Sequence, residues 1–302
     1  MDTRPLLLVL ALLAPGLPAE AQPASPPPEA GRPSVNAFLN ITPKRVTLDK
    51  TRRIASVFLL NQGSEPVTVD VALVDRVMLA DGQIFAADDA AAREGGPAAV
   101  ARLASARGLL QVSPRRATLQ PGRPQTVRLR LATLPDQAGE FRSHLTVTTL
   151  PPRETGATAE AAAGPAANEL SFRISTVFGL SVPVIVRNAE PDVAAAFEGV
   201  RLEFMEVSVD GRAPPRRTAV VALDLVRRGK SSVYGNFEVR VAGAKKDAEP
   251  LGIARGVGVY PEVDRRAVRI PLTRVPAPGE ALELTFTDDD TSPGTVLAKA
   301  AL

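Results

Sequence analysis

The chain carries one imidazole, His144, and the hydroxyl of Ser143 stands next to it. A serine within hydrogen-bond reach of a histidine would make a nucleophile and its base. These two occupy consecutive positions of an alternating stretch, and consecutive side chains of a strand point to opposite faces. They cannot act as a pair. His144 shares its face with Arg142, Thr146 and Thr148, a polar row that reads as solvated. Asp288-Asp289-Asp290 offers three carboxylates, but three adjacent acids lack the spacing of a calcium loop, and the run reads as a solvated turn. Gly256-Val257-Gly258 lacks the third glycine and the following helix of a dinucleotide site. Asn40-Ile41-Thr42 fits a glycosylation sequon, which has meaning only in a eukaryotic secretory pathway. With Cys at 0 and His at 1, thiol chemistry, disulfides, Cys-ligated metals and His-rich metal sites are excluded. Trp is 0 and Tyr is 2, so no aromatic platform for nucleic acid is expected. These residues predict a protein that is not an enzyme and needs no cofactor or metal.

The elements around these residues are strands. Hydrophobic residues make up 45% and charged residues 23% of the 302-residue chain, which is ordinary for a folded protein. The net charge of +3 demands no polyanionic partner. Gly 22 and Pro 28 point to many turns and an all-β body. Val67, Val69, Val71 and Leu73 alternate with polar or small residues. So do Val127, Leu129 and Leu131, and then Phe141, Ser143, Leu145 and Val147. Each is a half-buried strand, and turn clusters such as Asn61-Gln62-Gly63 and Pro121-Gly122 separate them. The Ala-rich stretch 86–107 predicts a short helix or a mobile loop, and 151–168 a disordered loop.

The N-terminus reads as an export signal. Arg4 precedes the apolar run Leu6–Leu13, and Pro15-Gly16 and the small-residue pattern Ala19-Glu20-Ala21 follow. The run is too short to span a bilayer, and no later segment predicts stable membrane insertion. The expected organisation is a signal peptide at 1–21, a Pro-rich leader at 22–34, a first sandwich at 35–187, a linker at 188–192 and a second sandwich at 193–302. Strands are expected in the second at 199–209, 218–227, 231–242, 251–260, 265–272 and 281–287.

One alternation outlasts its sandwich. Leu170, Phe172, Ile174, Thr176, Phe178, Leu180, Val182, Val184 and Val186 form a single row. At about 3.3 Å per residue the segment would span nearly 60 Å, far beyond a usual strand. Either the chain bends near Gly179 and pairs twice, or the surplus apolar side chains face something outside the domain. Pro183 removes a ladder donor, which fits an edge or a bulge.

The layout resembles the periplasmic pilus chaperones of the chaperone–usher pathway, in a divergent form. The residues that carry the resemblance begin with Ile41-Thr42-Pro43-Lys44-Arg45-Val46-Thr47-Leu48 and Ser56-Val57-Phe58-Leu59-Leu60-Asn61. The most specific stretch runs from Val112-Ser113-Pro114-Arg115-Arg116 through Gln120-Pro121-Gly122 to Gln125-Thr126-Val127. Arg142-Ser143-His144-Leu145, Leu150-Pro151-Pro152 and Val182-Pro183-Val184-Ile185-Val186-Arg187 complete it, with Ser232-Val233-Tyr234-Gly235 as weak support in the second half. The resemblance implies two immunoglobulin-like β-sandwich domains in a boomerang arrangement. It implies a partner that is a pilin-like subunit with an incomplete immunoglobulin fold, and delivery to an outer-membrane usher. It implies that Leu170, Phe172, Ile174 and Thr176 form a donor strand, and that Arg45 anchors the client's terminal carboxylate. The family's second anchor, a lysine, falls on Ser181, which can donate one hydrogen bond but carries no charge. The alternative is an exported immunoglobulin-like structural or adhesive protein that self-assembles through the same edge. The exported protein is expected to begin just after Ala21 when its N-terminus is sequenced, and an intact Met1 on periplasmic material would exclude a cleaved signal.

Overall fold

The computed structural model describes residues 39–151, 177–207, 216–245 and 247–302. The expected signal peptide and leader, the loop at 152–168 and the donor residues Leu170, Phe172, Ile174 and Thr176 lie outside the described residues. The described chain is all-β apart from two short helices and a 3-10 turn.

The first sandwich begins with β1 (Leu39–Thr42) and β2 (Val46–Leu48), joined across Pro43. β3 (Ile54–Asn61) and β4 (Val67–Val74) follow. The chain then makes an excursion: β5 (Arg76–Met78), β6 (Ile84–Ala86), α1 (Ala87–Ala90) and α2 (Gly96–Arg102). It returns through β7 (Leu110–Ser113), β8 (Arg116–Leu119), β9 (Pro124–Leu131), β10 (Glu140–Thr149) and β11 (Gly179–Arg187). One sheet has the order β1-β3-β9-β7 and the other β2-β11-β10-β4-β8. β1 and β2 thus go one to each sheet, and every pairing between these strands is antiparallel except β2 with β11. This is the strand arrangement of an immunoglobulin-like sandwich. The alternating valines and leucines do what their period requires. Val57, Leu59, Val71, Val127, Leu129 and Leu145 are buried in one core between the sheets.

The second sandwich pairs β12 (Ala195–Val207), β13 (Arg216–Arg227) and β16 (Arg265–Pro271) in one sheet. Its other sheet has the order β15 (Gly252–Val259), β14 (Val233–Val241), β17 (Leu282–Asp288), β18 (Val296–Ala301). Phe237 lies at its centre, with the rings of Phe286 and Phe197 at 4.6 and 5.7 Å. β12 starts four residues before its expected position. Gly199, at a φ of 62°, sits in a bulge between Glu198 and Arg201 that interrupts the alternation. The stretch read as a helix or a loop at 86–107 holds both short helices. They close over a small core of Val77, Leu79, Ala90 and Ala99, separate from both sandwich cores.

Candidate functional site

β10 and β11 present their odd-numbered and even-numbered side chains to opposite faces. Glu140 lies across from Arg187, Arg142 from Ile185, His144 from Pro183, and Thr146 from Ser181. These residues face away from the core of the first sandwich. The second sandwich covers one end of that face, and this overturns two expectations. His144 is not solvated: it is 2% exposed, with the edge of Tyr260 against its ring at 6.5 Å. Arg142 is equally buried; it pairs with Glu262, donates to the Arg76 carbonyl at 3.0 Å and stacks on Tyr260 at 3.8 Å. A period of two identifies the polar face of a strand but not what covers it. The cover, Tyr260 and Glu262, comes from more than a hundred residues downstream.

Asp288-Asp289-Asp290 is the second correction. Asp288 is buried and accepts the backbone N–H groups of Asp290 at 3.1 Å and Ser292 at 2.6 Å, which builds the turn. That turn delivers Asp290 to the junction. Its Oδ2 accepts from Arg45 Nη2 at 2.9 Å and from Arg187 Nη2 at 2.6 Å. Arg187 also reaches Glu140 Oε2 at 3.1 Å. Among the described residues no group of three or more His, Asp or Glu side chains could hold a metal ion.

Arg45 enters this junction just before β2, on the face of Thr47. Its Nη2 also donates to Ser232 Oγ at 2.9 Å, and its guanidinium carbon lies 4.7 Å from the centre of the Tyr234 ring. Ser232 and Tyr234 belong to the Ser232-Val233-Tyr234-Gly235 stretch. Its last member, Gly235, admits no side chain, because a Cβ there would stand 2.1 Å from the Thr287 carbonyl oxygen. Among the described residues Arg45 Nε and Nη1 are buried without an acceptor. A cleft of about 630 Å³ opens beside them, lined by Thr47, Lys50, Arg52, Arg187, Tyr234 and Asp290 among others.

Ser181 lies on the same sheet face but has another partner, the Thr146 hydroxyl at 2.9 Å. The structure therefore does not join Arg45 and Ser181. The second cation beside Arg45 is Arg187, which sequence reasoning treated only as the end of a strand. The signal for it was available: position 187 continues the odd row that carries Ser181 and Pro183, and Glu140 is its direct cross-strand neighbour.

The electrostatics follow from burial. Burial raises the Asp290 carboxyl, but Arg45 and Arg187 outweigh it and hold the group below its usual range. Burial opposes the charge of Arg187, and Glu140 and Asp290 outweigh it in turn. Burial first, then Arg142, Arg76 and Arg45, push His144 down to about 2. This favours the neutral imidazole in the folded protein.

No protein-family model matches the chain. No curated protein matches it in sequence. Several solved structures are similar to it. The YadV chaperone is 12% identical over 88% of this chain and 100% of its own, with a TM-score of 0.41. The E. coli chaperone DraB is 13% identical over 88% and 98%, with a TM-score of 0.38. A chain of the CsuC–CsuE chaperone–tip adhesion subunit complex from Acinetobacter baumannii is 11% identical over 87% and 96%, with a TM-score of 0.41. At this level the likeness says nothing of what this chain binds.

The depressed His144 gives a signed expectation. The unfolded imidazole takes a proton near pH 6.5 and the folded one does not, so stability falls as the pH drops below that value. The slope is about 1.4 kcal/mol per pH unit, down to where carboxylates begin to titrate near pH 4. In urea titrations across this window, His144→Gln should flatten the decline. An unchanged slope would mean that His144 takes up a proton in the folded protein.

Proposed function

We propose that this chain is a periplasmic chaperone of the chaperone–usher type, which lends a strand to an incomplete pilin-like subunit and delivers it to an outer-membrane usher. The observation that carries this reading is the edge of β11. β2 covers it only from Val184 to Val186. From Gly179 to Pro183, β11 is paired on the β10 side alone among the described residues. Pro183 has no N–H to lose there. The apolar row that buries Val182, Val184 and Val186 in the chain's own core continues upstream in sequence through Ile174, Phe172 and Leu170. A vacant edge with an apolar row is a template for an added strand.

Arg45 supports the same reading. Among the described residues nothing accepts from its Nε or its Nη1, and these two point to different sides of the guanidinium, so an arriving carboxylate could accept from one of them. Asp290 already neutralises part of the charge, so an arriving carboxylate gains mainly one unmade hydrogen bond. Ser181 offers one hydroxyl farther along the face. The Arg45 guanidinium also joins the two sandwiches. Arg45→Ala would therefore weaken the chaperone itself, and the donor row gives the cleaner test.

Leu170→Ser, Phe172→Ser and Ile174→Ser are combined in one variant. Each inserted side chain of this size contributes about 1.5–3 kcal/mol, so binding of a co-expressed exported subunit should weaken by about three decades or more. The variant's own melting temperature should barely change. Unaltered subunit binding with a large loss of stability would make these residues ordinary core. Fibres formed by the chain alone, without a subunit, would instead favour the self-assembling structural or adhesive protein.

A further inference from the structure

The excursion from β5 to α2 touches both sandwiches and belongs to neither core. On the first-sandwich side, Arg142 N donates to the Ala104 carbonyl at 2.8 Å, and Ala87 N to the Asp75 carbonyl at 3.0 Å. On the other side, Ala267 N of β16 donates to the Ala80 carbonyl at 2.9 Å. Gly82, at the tip of the β5–β6 hairpin, has a φ of 85° and lies against Arg266, so close that a Cβ would stand 2.2 Å from its Nε. Met78 is buried in a small apolar cluster with Ile185 of the first sandwich and Tyr260 of the second.

We propose that this excursion is a strap that sets the angle between the two sandwiches, with Glu262 as its latch. Glu262 is 3% exposed, and its Oε1 takes two partners. One is the backbone N–H of Met78 in the strap, at 2.9 Å. The other is the guanidinium of Arg142 in the first sandwich. A single carboxylate of the second sandwich thereby ties the strap and the first sandwich at one point. Removing it would leave a buried N–H and a buried cation unpaired. A further link, from Arg102 to Asp264 at 2.7 and 3.1 Å and to the Pro261 carbonyl at 3.0 Å, is exposed, with the two side chains 43% and 66% accessible. Water and salt screen its charges, as they do not for the buried latch. The latch is also close to the proposed anchor: Tyr260, two residues before Glu262, lies between Arg142 at 3.8 Å and Arg45 at 5.7 Å. The angle that Glu262 holds fixes how Tyr260 stands beside Arg45. The strap stands whether or not the cleft takes a pilin subunit, because each of its contacts lies within this chain.

The chain has no cysteine, so two introduced ones can be labelled without background. Ser56→Cys on β3 and Lys299→Cys on β18 place one nitroxide on each sandwich, and pulsed electron resonance reads the distribution of distances between them. The parent should give one narrow distribution. Glu262→Ala should broaden it roughly twofold or more as the angle samples further states. Glu262→Gln keeps an acceptor for Met78 but loses the charge facing Arg142. It should broaden the distribution less, and it serves as the test if the alanine variant does not fold. Arg102→Ala should leave the distribution unchanged. Parent-like distributions in the folded Glu262 variants would overturn the proposal. So would broadening by Arg102→Ala with Glu262→Gln silent, which would place the latch at the surface pair.

Discussion

Two buried charge clusters join the two sandwiches. At the first, Asp290 lies between Arg45 and Arg187, with Glu140 behind Arg187. At the second, Glu262 faces Arg142. Buried ion pairs are poor substitutes for apolar packing, because desolvation consumes most of the attraction. Their effect is geometric. Each buried charge needs its partner in place, so the sandwiches cannot slide or rotate without leaving a charge unpaired, at a cost of about 3–5 kcal/mol. Tyr234 and Tyr260 fill the space around the guanidiniums and keep water from replacing the missing partner.

That constraint explains the local chemistry. Burial, and then Arg142, Arg76 and Arg45, favour the neutral form of His144. The Ser232-Val233-Tyr234-Gly235 stretch meets Arg45 through a hydroxyl and a ring, and its glycine lets the backbone of Thr287 approach. The same end of the sheet therefore carries both the joint of the molecule and the proposed anchor. The vacant edge of β11 begins at Pro183, one residue beyond the last rung that β2 supplies.

Most strands were legible in the sequence because alternation is local: Val67–Leu73, Val127–Leu131 and Phe141–Val147 all fall in strands with their apolar residues inward. β18 was not, since Leu297-Ala298-Lys299-Ala300-Ala301 has little contrast between its faces. Arg45 was legible only through a family resemblance; nothing in its neighbours distinguishes it from a surface arginine. Asp290 and Glu262 were hidden for a different reason. Their partners lie 245 and 120 residues away in the chain, and no short-range pattern records such a pairing. Arg142 and His144 were misread by the same blindness, since a polar face reads as wet until another domain covers it.

The central claim is that the free edge of β11 is the surface a subunit uses. Backbone hydrogen exchange tests it most directly, on the chain alone and in complex with an exported subunit. Those amides of Gly179–Val182 that β10 leaves unbonded should exchange quickly in the free protein. In the complex they should become strongly protected, while amides in the second sandwich stay unchanged. A stable complex in which these amides still exchange at the free rate would contradict strand donation through β11.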